Sequence, residues 1–204
     1  MKLKKINIEL EEALVGLSLV EPTALQKESF SVIKSGVDVM VVAPTREGKS
    51  LALAISVIQK LDKAHLIATR ALVVVKDKEQ VLEMTALFEK LTKRMDLRVY
   101  GVHNNTDLDN DKNMLSEGND ILIGTMEKLN SMFSSAGFDV NQLKMFVVDD
   151  VDEQLKMRLE PKFLRVSESI GKTQRIYFST IVDERVESFV DKTLTEDAVW
   201  LQYE

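Results

Sequence analysis

The chain has 204 residues, of which 45% are hydrophobic, the size of one domain with a single sizeable core. It has no cysteine, which excludes a disulfide framework, a thiolate metal site and a cysteine nucleophile, and its net charge of −6 argues against holding nucleic acid by bulk electrostatics alone. Acidic Glu9, Glu11 and Glu12 stand where a signal peptide needs an unbroken apolar stretch, and no run is long and apolar enough to span a bilayer, so a cytoplasmic protein without membrane contact is expected.

In chain order, Pro22-Thr23 opens a helical stretch that the Thr23 hydroxyl can cap. Residues 37–42 then read as a strand and 50–61 as a helix. Strands follow at 71–75, 97–102, 120–124, 145–148, 175–178 and 198–201, separated by helical spacing at 78–91, 126–133, 151–159 and 184–194. Seven Val- and Ile-rich runs, continuous rather than alternating, are the pattern of strands buried on both faces. Alternation with helices predicts an α/β fold with a mostly parallel sheet of about seven strands and helices on both sides. The polar stretch 104–113 is expected to be an exposed loop. Its Asp107, Asp109 and Asp111 imitate the start of a calcium loop, but Lys112 replaces the required Gly and Gly118 the required Glu, which leaves a solvated acidic loop. His65 and His103 have no matching ligands nearby and are expected in solvent or loops, and the nine Met residues are read as core filling.

Ligands of such sheets gather at the carboxyl ends of the strands, where residues 45–50, 149–152 and 179–180 would fall. The first of these lies within Ala43-Pro44-Thr45-Arg46-Glu47-Gly48-Lys49-Ser50, between a strand and a helix. In a phosphate loop, backbone N–H groups surround the phosphates, the Lys reaches the outer ones, and the hydroxyl binds magnesium. The plainer reading of Lys49, a solvated lysine, sets a cation at the positive end of a helix dipole. The Gly-Lys-Ser end is intact, but Ala43 replaces the first Gly. Arg46 inside the loop either crowds the phosphates or lies outward as an extra cation. Asp149 ends a strand, where it could hold hydrated magnesium or simply cap the next helix.

These segments resemble, in order and spacing over nearly the whole chain, the first RecA-like domain of the DEAD-box RNA helicases. Residues 22–26 look like the adenine-reading Q motif, with Thr23 and Gln26 as its polar side chains. Residues 43–50 look like motif I, 149–152 like Asp-Glu-Ala-Asp, and 179–181 like Ser-Ala-Thr. The resemblance implies a P-loop NTPase domain binding ATP or ADP with Mg2+ through Thr23, Gln26, Thr45, Arg46, Gly48, Lys49 and Ser50. Ser50 and Asp149 would hold the metal and Asp150 would orient the attacking water. Asp152 would pair with the Ser179 and Thr180 hydroxyls for interdomain coupling. RNA would meet Lys76 and Lys78 after the second strand, and Thr125 and Lys128 in the segment aligned with Thr-Pro-Gly-Arg.

The departures fall on hydrolysis and RNA gripping. Asp150 is one methylene shorter than the family's Glu, Arg46 replaces a Gly, Glu127 puts negative charge where RNA phosphate should face, and residues 1–29 lack the aromatic side chain that stacks on adenine. Residues 1–204 are expected to be one RecA-like domain without the second. The expected function is therefore a helicase-like ATP-binding domain with weak RNA contact and little or no ATPase or helicase activity alone, served by a partner protein or second RecA-like domain in trans. Two alternatives are a non-catalytic protein-interaction module and the N-terminal half of an active ATP-dependent RNA helicase.

Overall fold

A computed structural model describes residues 3–135 and 138–203. Seven strands form one sheet: β1 (Val39–Val42), β2 (Ala71–Val75), β3 (Val99–Val102), β4 (Ile121–Thr125), β5 (Met145–Val148), β6 (Gln174–Ser179) and β7 (Val199–Gln202). Every pairing is parallel, in the order β3-β4-β2-β5-β6-β1-β7. The seven apolar runs are thus strands, and their two-sided hydrophobicity is used on two cores. Val39, Val41, Val73, Ile121, Val147 and Ile176 point to one, and Met40, Leu72, Leu122, Phe146 and Tyr177 to the other.

The first core is closed by α1 (Ile8–Gly16), α2 (Ala24–Ser35), α3 (Lys49–Leu61) and α4 (Lys78–Thr92). The second is closed by α5 (Leu108–Ser116), α6 (Met126–Ser134), α7 (Val151–Lys156), α8 (Glu160–Ser169) and α9 (Glu184–Thr193). Here Tyr177 stacks on Phe189 at 5.2 Å between ring centroids, and Phe163 meets Phe189 edge-on at 5.6 Å. Among the described residues, no helix is long and apolar enough to cross a membrane.

Three expectations are corrected. The helix expected over 151–159 ends at Lys156, because the chain turns through Arg158 at φ +60° and restarts as α8 with Pro161 in its first turn. Met114 and Met157 are exposed instead of filling core. The stretch 104–113 is largely α5, capped by Asp107, whose side chain accepts from Asn110 N. Asp111, read as solvated, is fully buried. Its carboxylate accepts from Tyr100 Oη at 3.1 Å and Thr106 Oγ1 at 2.7 Å, and pairs with Lys128 Nζ at 2.8 Å. A buried carboxylate persists only with such partners. The same rule governs Asp120 at the opposite end of the sheet, which Arg70 and Arg98 clasp at 2.6 and 2.8 Å.

Candidate functional site

Strands β5, β6 and β1 are neighbours, so the segments leaving their carboxyl ends meet above the sheet. The segment after β1 runs from buried Ala43 to α3. It curves through two left-handed residues, Arg46 at φ +71° and Gly48 at φ +83°. The left-handed backbone favours Gly at 48, and a Cβ there would also displace the Gln26 carboxamide from the loop. Gly48 is the N-cap of α3 and has no side chain to cap it. The first N–H groups of that helix therefore keep their hydrogen-bonding capacity for an anion.

Lys49 is buried. Its ammonium donates to Ala43 O at 2.7 Å, Pro44 O at 3.4 Å and Thr180 Oγ1 at 2.9 Å, drawing the loop inward around it. Gln26 and Thr23 form a reciprocal capping box at the start of α2. Gln26 Oε1 accepts from Thr23 N and Nε2 donates to Gly48 O at 3.4 Å, while Thr23 Oγ1 donates to Glu47 O. Both side chains of the presumed base-reading pair thus brace the loop from behind.

Ser50 Oγ donates to Asp149 Oδ2 at 3.4 Å, which brings together the two residues expected to hold a metal. Asp149 is buried, and its carboxyl is pushed up to about 7, first by burial and then by the adjacent Asp150 charge. Lys49, Asp150 N–H and the Ser50 hydroxyl oppose the rise. Oxygen ligands of this kind suit a small, hard divalent cation, whose charge would offset the cost of burying the carboxylate in place of the proton it otherwise keeps. A cleft of about 320 Å³ opens here, with Thr45, Arg46, Lys49, Ser50, Asp149 and Asp150 in its walls. Arg46 is exposed at its rim and makes no hydrogen bond or ion pair among the described residues. The residues therefore fit a magnesium-bound phosphate chain, provided Lys49 exchanges its carbonyl partners for phosphate.

Asp150 has φ +46°, a left-handed geometry that keeps its side chain from capping α7. Its Oδ2 accepts instead from Gln80 Nε2 at 3.0 Å. Sequence reasoning missed Gln80. The Asp77-x-x-Gln80 spacing signals a helix start, which the structure contains, but nothing in that spacing points across the sheet to Asp150.

Asp152 is buried and accepts from the backbone N–H of Thr180 at 3.2 Å. The backbone N–H takes the place of the hydroxyls expected there: Thr180 Oγ1 accepts from Lys49, and Ser179 Oγ donates to Ile181 O at 2.6 Å. Lys76 and Lys78 follow β2, half-buried and exposed respectively. Thr125 and Lys128, the other two residues expected to meet RNA, are both buried. Thr125 is buried against Asn104, and Lys128 is turned inward by the buried charge of Asp111 and by Thr106 O.

The family model described as DEAD/DEAH box helicase matches residues 23–189. The chain is 26% identical over 197 residues to "ATP-dependent RNA helicase eIF4A" of Eremothecium gossypii, covering 96% of this chain and 49% of that protein. It is 29% identical over 151 residues to the protein of the same name from Emericella nidulans, covering 74% and 38% respectively. To "Eukaryotic initiation factor 4A" of Caenorhabditis elegans it is 25% identical over 178 residues, covering 86% and 43%. The chain spans about half the length of the curated relatives it matches or less.

Proposed function

This chain belongs to the DEAD/DEAH box helicase family, and we propose that it is a nucleotide-binding RecA-like unit holding ATP or ADP with Mg2+ in the cleft beside Lys49. One observation carries the reading: the uncapped start of α3, the Lys49 ammonium and the Ser50–Asp149 pair all face one hollow at the carboxyl edge of the sheet. Lys49 would meet the outer phosphates, and Ser50 and Asp149 would hold the metal, whose charge screens the phosphates. Thr45 and Gly48 shape the loop, and Arg46 adds a cation at its rim. Asp150 is the carboxylate that would orient water.

Affinity is expected to be modest, because Lys49 must exchange its carbonyl partners for phosphate and the Gln26 carboxamide is already engaged with Thr23 N and Gly48 O. Turnover by the chain alone is expected near background, since a shortened, tethered Asp150 departs from the geometry that proton transfer demands. RNA would contact the Lys76–Lys78 side weakly, because two lysines on a chain of net charge −6 offer little phosphate neutralisation. A second RecA-like domain or a partner protein would complete the RNA and nucleotide sites.

The engagement of Lys49 and Gln26 with groups of the chain itself favours one alternative, a non-catalytic interaction module that kept the fold. Titration of a fluorescent ATP analogue into wild type and Lys49→Ala separates the two. Binding lost in the variant supports the nucleotide reading, and equal signals from both proteins refute the role given to Lys49.

A further inference from the structure

Gln80 stands in the walls of two adjoining hollows, the cleft above and one of about 200 Å³ that also includes Glu83, Met84 and Leu87. Its carboxamide has both ends engaged. Oε1 accepts from Lys76 N at 3.1 Å, Nε2 donates to Asp150 Oδ2 at 3.0 Å, and the residue's own N–H donates to Asp77 Oδ1 at 2.9 Å. The amide orientation follows from its partners. An N–H at Lys76 requires the oxygen, and a carboxylate requires the NH2.

Resting on the nucleotide reading above, we infer that Gln80 is a positioning residue that fixes the Asp150 carboxylate at the cleft and makes its placement depend on the backbone of Lys76. Asp150 needs such a tether because its left-handed backbone withholds the carboxylate from the α7 cap, and Gln80 is its side-chain donor among the described residues. A neutral amide holds the carboxylate without cancelling its charge, whereas Lys or Arg would make an ion pair and lower its basicity. The tether occupies Oδ2, and Oδ1 accepts no hydrogen bond among the described residues. The other end of Gln80 reports on the backbone turn that enters α4, where Lys76 and Lys78 lie. A polyanion that shifts that turn therefore shifts Asp150.

The test is amide NMR of the full chain without nucleotide, titrated with a short single-stranded oligouridine. In wild type, resonances of Lys76, Lys78, the Gln80 side-chain NH2 and the Asp150 N–H are expected to move together. In Gln80→Leu, Lys76 and Lys78 still move and Asp150 does not. Asp150→Asn is expected to displace the Gln80 side-chain resonance before RNA is added, which keeps the inference testable if the Leu variant fails to fold. Equal Asp150 shifts in wild type and Gln80→Leu overturn it. So does a Gln80 amide indifferent to Asp150→Asn, or an oligouridine that leaves Lys76 and Lys78 unmoved. A fluorescent ATP analogue tested in parallel reads the nucleotide site by itself. Its failure to bind wild type refutes the nucleotide reading, while the tether stands or falls on the amide shifts.

Discussion

Replacing Arg46 by Gly separates two effects that one residue exerts on the loop. Arg46 holds φ +71°, a left-handed backbone that costs a residue with a Cβ about 1–2 kcal/mol. Gly removes that cost but gives the unfolded chain extra freedom worth about 0.4–1 kcal/mol. The remainder is a gain of up to about 1.6 kcal/mol, which for a chain of this length raises the unfolding midpoint by up to about 6 °C. The same change deletes an exposed guanidinium at the rim of the cleft. A screened surface attraction is worth about 0.2–1 kcal/mol, so a fluorescent ATP analogue is expected to bind roughly 1.5–5-fold more weakly. Differential scanning fluorimetry without ligand reads the first quantity, and a binding titration at fixed ionic strength reads the second. A lowered midpoint would refute the backbone argument. Tighter binding by the Gly variant would show that Arg46 obstructs the cleft instead of serving it.

Two further outcomes follow from the buried charges. The folded state holds the Asp149 carboxyl up to about 7, well above its unfolded value, so it keeps a proton that the unfolded chain has lost over the window between. Ligand-free stability therefore falls as pH rises through that window and levels off above it, while magnesium affinity climbs as the proton is shed. Urea midpoints across this range should show the slope in wild type and lose it in Asp149→Asn, and a slope unchanged in the variant places the proton elsewhere. Asp111→Asn leaves the Lys128 ammonium buried beside a neutral amide, at an expected cost of about 3–5 kcal/mol in urea unfolding. The double variant with Lys128→Met should recover part of this loss, and no recovery would mean that the pair is not what makes Asp111 necessary.

The sheet was legible because parallel strands buried on both faces need unbroken Val and Ile runs, and residues 71–75 and 145–148 are such runs. The turn from Ala43 to Ser50 was legible because an apolar run, a Gly able to take a left-handed backbone and a helical stretch follow one another there. The remainder depended on where single polar groups lie in three dimensions. Asp111 and Lys128 are 17 positions apart and look solvated separately, but the fold brings the two side chains together as one buried pair. Gln80 and Asp150 meet because β2 and β5 are adjacent, a pairing that no local pattern encodes. Asp152 was placed beside the right segment but with the wrong atoms, since the choice between a hydroxyl and an N–H turns on side-chain geometry at Thr180 that no local pattern encodes.

A crystal structure of the chain with magnesium and a non-hydrolysable ATP analogue bears most directly on the account. The expected result is a phosphate chain on the first N–H groups of α3, with the Lys49 ammonium moved from Ala43 O and Thr180 Oγ1 onto phosphate oxygen and a metal between Ser50 and Asp149. A loop still closed around Lys49 at saturating ligand, with nothing bound between those two side chains, would contradict it.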